Sequence, residues 1–199
     1  TGNMVAAPRR LTIDDLCVHQ VSLSGQCDFA GSLAVLGNAG IRRTALWAPM
    51  IEACGIAEAR RVWLDSDMVE DSRCVAGLFA GADALRERLE LADMFGARTL
   101  VLITGGLDDV AQDGLGGVDI DRARGLIVDQ LGAAADLAGQ YRVRLAFEPL
   151  HPMVCGFRSV VSSLGEALDI LDQLDAGHDI GLAIDAYALW WEDDLSLIH

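Results

Sequence analysis

The sequence predicts an α/β protein built on a parallel sheet, and three observations point there. Short apolar runs recur along the 199 residues, and each gives way to a segment with helical spacing. Several helical segments end near glycine, as at Gly40, Gly96 and Gly177, where a helix stop is expected. The chain is 52% hydrophobic but only 6% aromatic, so its core must come mostly from Leu, Val, Ile and Ala. Those residues suit buried parallel strands and Ala-rich helices that cover them. A chain of this length buries roughly 70% of its extended surface and needs no staples.

The elements follow in order. Leu16 to Leu23 is the first apolar run, and a helix fits Phe29 to Asn38. Thr44 to Trp47 is the second run, closed by Pro49 and followed by a helix near Ile56 to Leu64. Cys74 to Phe79 is the third. The clearest helix comes next, from Ala82 to Phe95, because Leu85, Leu89, Ala92 and Phe95 fall at helical spacing. Thr99 to Thr104 is a run of parallel-strand type, ended by Gly105-Gly106. Asp108 to Gly117 is polar and glycine-rich, the composition of a surface loop. A long Ala-rich helix is predicted from Ile120 to Tyr141, then a fifth strand from Arg144 to Phe147. Ser163 and Glu166 have capping-box spacing and open a helix to Leu174. Ile180 to Ile184 is the sixth strand, and Asp193-Asp194 starts a further helix. No linker-like tract interrupts the alternation, so residues 1–199 read as one domain. An open doubly wound sheet and a (β/α) barrel both satisfy this periodicity.

Composition and missing motifs remove several function classes. No G-x-G-x-x-G follows the first strand and no G-x-x-x-x-G-K occurs, so dinucleotide and nucleotide binding lose their main support. The formal net charge is -15, with 15 basic residues against 30 acidic and no basic run. Nucleic acid and anionic membrane surfaces are therefore not expected partners. No apolar stretch reaches the roughly 20 residues of a membrane helix, and the N-terminus lacks a signal-peptide pattern. Cys17, Cys27, Cys54, Cys74 and Cys155 are odd in number and form no C-x-x-C pair. They read as buried, reduced thiols in a cytoplasmic protein.

Two predicted strands end in an acid. Leu145-Ala146-Phe147-Glu148-Pro149 is an apolar strand, a carboxylate, and a proline that cannot continue the ladder. Gly181-Leu182-Ala183-Ile184-Asp185 repeats the arrangement. A carboxylate directly after apolar strand residues is partly desolvated, so it must be paired, protonated or bound to a metal. Two such acids, one strand apart, can flank one hard divalent cation. Equally, each can cap the helix that follows or pair with an arginine.

Leu145 to Val154, as Leu-Ala-Phe-Glu-Pro-Leu-His-Pro-Met-Val, resembles a signature of the xylose-isomerase-like sugar phosphate isomerase/epimerase family. So does Phe157-Arg158-Ser159-Val160-Val161 with the following Glu166-Ala167-Leu168, and so does Gly181 to Trp191. Ala45-Leu46-Trp47 and Leu102 to Leu107 are weaker echoes. The resemblance implies a (β/α)₈ TIM barrel holding one divalent metal, Mn, Mg, Co or Zn. It carries over Glu148 as metal ligand and catalytic acid/base, and Asp185 as metal ligand. The implied chemistry is isomerisation or epimerisation of a sugar-like hydroxy-ketone through an enediolate. Candidate substrate-binding residues are His151, Arg158, Trp47, Trp190 and His19, with Trp191 beside Trp190 as a further apolar wall. His178 lies on the opposite rim and takes no role.

The sequence departs from the pattern twice. Where the family often reads Asp-x-x-His after its sixth strand, this chain has Ala188. A (β/α)₈ domain typically takes about 250 residues, and the chain ends after the sixth strand signal. The expectation is a fragment, a barrel domain truncated at its C-terminus; the other readings of its length are one part of a split protein with a complementing chain, or a shortened form that closes its sheet as a homo-oligomer. The alternatives are a lyase or dehydratase on the same metal–enolate logic, or a non-catalytic relative that binds a small metabolite or partner chain. A DNA-repair endonuclease shares the fold and the acid motif, and the charge balance argues against it.

Overall fold

A computed structural model of the chain describes residues 10–110, 120–174 and 177–193. Its contacts divide into two compact units, Thr1–Asp71 and Ser72–His199.

In the first unit three short parallel strands pair in the order β1 (Cys17–His19), β2 (Arg43–Ala45) and β3 (Val69–Glu70). Helices α1 (Phe29–Asn38), α2 (Ala48–Cys54) and α3 (Ile56–Leu64) accompany them. α1 and α3 occupy the predicted spans. Asp28 caps α1 by accepting the Gly31 N–H at 2.8 Å. The predicted strand Leu16 to Leu23 is strand only over β1, and Gln20–Leu23 forms a 3-10 turn. Pro49 closes the second run, as expected, by lying in the first turn of α2, a helix the sequence did not signal, where its missing N–H leaves no bond unmade. β3 escaped the sequence reading because two residues carry no periodicity.

In the second unit four parallel strands lie in the order β4 (Ser72–Gly77), β5 (Thr99–Ile103), β6 (Arg144–Phe147) and β7 (Ile180–Leu182). Six helices belong to it among the described residues: α4 (Gly81–Phe95), α5 (Leu107–Val110), α6 (Ile120–Gly125), α7 (Ile127–Ala138), α8 (Leu164–Leu171) and α9 (Ala186–Leu189). Leu100, Leu102, Leu145 and Phe147 are fully buried, and Leu89 and Ala92 of α4 and Leu131 and Ala134 of α7 complete the same core. Gly96 ends α4 with φ 83°, a left-handed cap that suits glycine.

Some expectations are corrected here. The single helix from Ile120 to Tyr141 is α6 and α7, interrupted at Gly125-Leu126, where glycine weakens helical continuity. The surface loop predicted from Asp108 begins instead as α5, and its residues 111–117 lie outside the described residues. α8 stops at Leu171, not Leu174. Its start is a modified capping box: Ser163 Oγ accepts the Glu166 N–H at 3.2 Å, while Glu166 Oε2 accepts the N–H of Ser162 at 3.0 Å. The helix expected from Asp193-Asp194 falls almost wholly outside the described residues. All five cysteines are half-buried and free. Among the described residues no helix is long and apolar enough to cross a membrane.

Because β4 to β7 run the same way, their C-terminal ends share one edge, and residues 148–163 leave from it after β6. That segment is pinned. Ser159 and Thr104, both fully buried, place their hydroxyls 3.1 Å apart, and Thr104 Oγ1 accepts the Val160 N–H at 2.9 Å. Arg124 of α6 donates to the Val160 carbonyl at 2.9 Å and pairs with Glu166 of α8 at 2.5 Å. Leu107 N–H donates to the Gly156 carbonyl at 2.8 Å. At Gly106 a Cβ would overlap the Phe157 carbonyl oxygen, so the backbone approach itself demands glycine.

Gly106→Ala is therefore expected to destabilise the protein by about 1–3 kcal/mol through overpacking. Gly165→Ala in α8, where a Cβ meets nothing within 4 Å, is expected to leave stability unchanged or slightly raised. Chemical denaturation of the two variants measures the contrast.

Candidate active site

Glu148 and Asp185 leave adjacent parallel strands. Phe147 is in register with Leu182, and the Ala183 N–H donates to the Phe147 carbonyl at 2.8 Å. Glu148 keeps one backbone bond to the sheet, its N–H donating to the Leu102 carbonyl at 2.9 Å. Its side chain is half-buried and has no hydrogen-bond or ion-pair partner among the described residues. Burial first, and then the charge of Asp185, push the Glu148 carboxyl above its ordinary range, against a lowering by Arg158. The two carboxylates and the guanidinium are thus close enough to sense one another.

Asp185 behaves partly as the capping alternative expects. Its Oδ1 accepts the Tyr187 N–H at 2.8 Å and starts α9. Oδ2 has no partner among the described residues. A hard divalent cation takes carboxylate oxygens, and this pair offers them from two strands. Among the described residues no group of three or more His, Cys, Asp or Glu side chains is placed to hold a metal.

His151 and Arg158 stand on the loop between β6 and α8. His151 Nδ1 accepts the Met153 N–H at 3.2 Å, and its ring meets Trp191 edge-on with centroids 6.4 Å apart. Trp191 is itself fixed, its indole N–H donating to the Ala188 carbonyl at 2.8 Å. Arg158 is exposed, and its backbone N–H donates to the Val154 carbonyl at 2.9 Å. Trp190 is 70% exposed, which makes a wall only if a ligand covers it. Ala188, in the position reserved for histidine by the resemblance, is buried in α9.

His19 and Trp47 belong to the first unit. His19 Nδ1 accepts the Val21 N–H at 3.0 Å, and burial lowers its pKa. Trp47 has its backbone N–H held at 2.9 Å by the buried Gln20, which also donates to Ser32 at 2.7 Å. Trp47 lines a cavity of about 490 Å³ with Cys27, Phe29, Met50 and Cys54. The Thr104–Ser159 pair and the Arg124–Glu166 clamp were missed by sequence reasoning. The only signals for them were the Gly105-Gly106 strand end and the Arg-Ser after Phe157, which do not name their partners.

Parallel strands alternating with helices, with the acids at one strand edge, define an α/β protein of the parallel-sheet class. The chain belongs to the xylose isomerase-like TIM barrel family, whose model matches residues 79–197. It is similar to the crystal structure of protein SMc04130 from Sinorhizobium meliloti 1021, at 33% identity and a TM-score of 0.80, covering 94% of this chain and 68% of that one. The fold is shared with D-allulose 3-epimerase from a Methylomonas species in complex with D-allulose, at 15% identity and TM-score 0.67, over 89% of this chain and 64% of the other. It is also shared with the IolI protein carrying a zinc atom, at 14% identity and TM-score 0.64, over 86% and 63%. Among curated proteins none matches the chain.

In the metal-free protein, carboxyl NMR titration should find Glu148 above the usual glutamate range. Asp185→Asn should bring it down and Arg158→Gln should raise it. A carboxyl raised on folding stabilises below its unfolded value and loses that contribution as pH climbs through the folded one. Glu148→Gln should therefore be at least as stable as the parent at neutral pH, which thermal melts at pH 4 and pH 7 would check.

Proposed function

We propose that this protein isomerises or epimerises a small sugar-like hydroxy-ketone by moving a proton on the carbon beside the carbonyl, with Glu148 as the group that moves it. The observation that carries this reading is a half-buried glutamate with no partner among the described residues, raised above its ordinary range beside a second carboxylate. A base works best when its pKa approaches the working pH, and the Glu148 environment shifts it that way. Membership of the xylose isomerase-like family supports the class of reaction, as does a fold relative that is a D-allulose 3-epimerase.

The chain's own residues have definite tasks in this reading. Glu148 takes the proton, the electron pair of the broken C–H bond moves toward the carbonyl oxygen, and an enediolate forms. Return of the proton by Glu148 to the neighbouring carbon, with the hydroxyl proton passing to the former carbonyl oxygen, gives the isomer. Protonation of the same carbon on its opposite face, by a second acid there, gives the epimer while Glu148 keeps the first proton. Arg158, whose charge reaches Glu148, holds an oxygen of the substrate. Trp190 presents its exposed indole to the apolar C–H face of a sugar. Glu148 and Asp185 would hold a divalent cation, and a zinc-bearing fold relative supports that expectation. When bound, such an ion polarises the carbonyl and a neighbouring hydroxyl oxygen. His19 and Trp47, in the first unit, are not needed for these tasks.

Ala188 favours a second reading, a relative that binds a small metabolite without turnover, since the imidazole expected there is absent. Incubation with a panel of ketoses and Mn²⁺ in deuterated water separates the two. The enzyme reading expects deuterium at the carbon beside the carbonyl, and a loss of roughly 10²–10⁴-fold in Glu148→Gln. Ligand binding without exchange in metal-loaded protein would establish the second reading instead.

A further inference from the structure

We propose that His151 is a fixed hydrogen-bond donor, with its proton held on Nε2 by the Met153 backbone, and that it serves the candidate site by gripping a ligand oxygen rather than as a metal ligand or a base. The inference deepens the proposed function. Only the identity of the ligand rests on that reading; the state of the ring does not.

The argument is one of lone pairs. A backbone N–H can only donate, so the 3.2 Å bond from Met153 uses the lone pair of Nδ1. A proton on Nδ1 would face that N–H directly, so the neutral ring carries its hydrogen on Nε2. A neutral imidazole binds a cation, or accepts a proton, through a nitrogen that bears no hydrogen. Here one nitrogen is occupied and the other is protonated. While the loop is closed, the remaining capacity of the ring is donation from Nε2, which has no partner among the described residues.

The ring cannot easily turn to exchange its nitrogens. His151 caps the 3-10 turn Pro152–Val154, and its carbonyl accepts the Val154 N–H at 3.0 Å. The Val154 carbonyl in turn accepts the Arg158 backbone N–H at 2.9 Å, so the backbones that carry His151 and Arg158 are tied into one hydrogen-bonded loop. Trp191 closes against the ring from the side, at an interplanar angle of 75°. Both donors are carried by the segment that begins at Glu148, so the ligand group they suit is an acceptor oxygen: a hydroxyl, a carboxylate or a phosphate.

The first unit repeats the device independently. His19 ends β1, caps the 3-10 turn Gln20–Leu23 and accepts the Val21 N–H on Nδ1 at 3.0 Å. The same reasoning makes it an Nε2–H donor.

Long-range ¹H–¹⁵N imidazole spectra of the ¹⁵N-labelled full chain test the ring state, with His151 assigned by its loss in His151→Gln. The Nε2–H pattern is expected at pH 7.5, and an Nδ1–H pattern would overturn the proposal. Mn²⁺ titration tests the second half. His151→Gln and His151→Leu should each keep the parent's affinity within about twofold, while Glu148→Gln and Asp185→Asn should lose at least about tenfold, or roughly 1.4 kcal/mol. A loss in His151→Leu equal to that of Glu148→Gln would make the imidazole a ligand and end the proposal. With any ketose that is turned over, His151→Leu should raise KM about tenfold at little change in kcat, and His151→Gln, which keeps an N–H near the Nε2 position, should restore it. Equal damage by Leu and Gln would reduce His151 to a structural cap. If no ketose is turned over, the proposed reaction fails while the spectra and the Mn²⁺ titration still decide the role of the ring.

Discussion

The candidate site depends on one pairing, that of β6 with β7. Parallel register sets Phe147 against Leu182, and the residues that follow must leave the ladder together at the same edge. Two carboxylates are thereby held near each other in a partly desolvated place, which water alone would not favour. The fold tolerates the arrangement because the sheet behind it is a continuous apolar core. Strand bonds and helix packing fix the backbone regardless of the charge at its end.

The two acids respond differently, and the difference is instructive. Asp185 relieves itself by capping α9, which uses one oxygen and turns the carboxylate into part of a helix start. Glu148 has Pro149 behind it and no helix to cap, and burial together with the Asp185 charge raises its pKa. Similar sequence positions thus yield one acid anchored as a helix cap and one whose carboxylate has no hydrogen-bond partner among the described residues. In the proposed reaction the acid without a partner moves the proton, and the two together would hold a cation.

The loop from Glu148 to Ser163 is held to its neighbours at several points. Thr104, Ser159, Arg124 and Glu166 each hold part of it, and the Gly106 backbone closes on it from the β5 side. The backbone that carries the donors is thereby held, which lowers the entropy lost when a ligand is gripped. The histidine turns extend the same logic to single rings, since a backbone N–H decides which nitrogen faces outward.

What the sequence alone determined was whatever is local. The spans of α1, α3 and β6, the glycine end of α4 and the acid closing β6 were legible, because apolar spacing, glycine and strand-ending proline act over a few residues, whereas β7 ends at Leu182, short of the predicted Ile184. The fold class followed from their alternation, and family membership from the segment around Glu148. Tertiary structure decided the rest. Nothing near Thr104 names Ser159, nothing near Arg124 names Glu166, and nothing in Leu-His-Pro-Met tells which nitrogen of His151 bears the proton. The two-residue β3 depends likewise on its pairing with β2, a neighbour distant in sequence. Such features arise when separate segments meet, and periodicity along the chain holds no record of which segments those are.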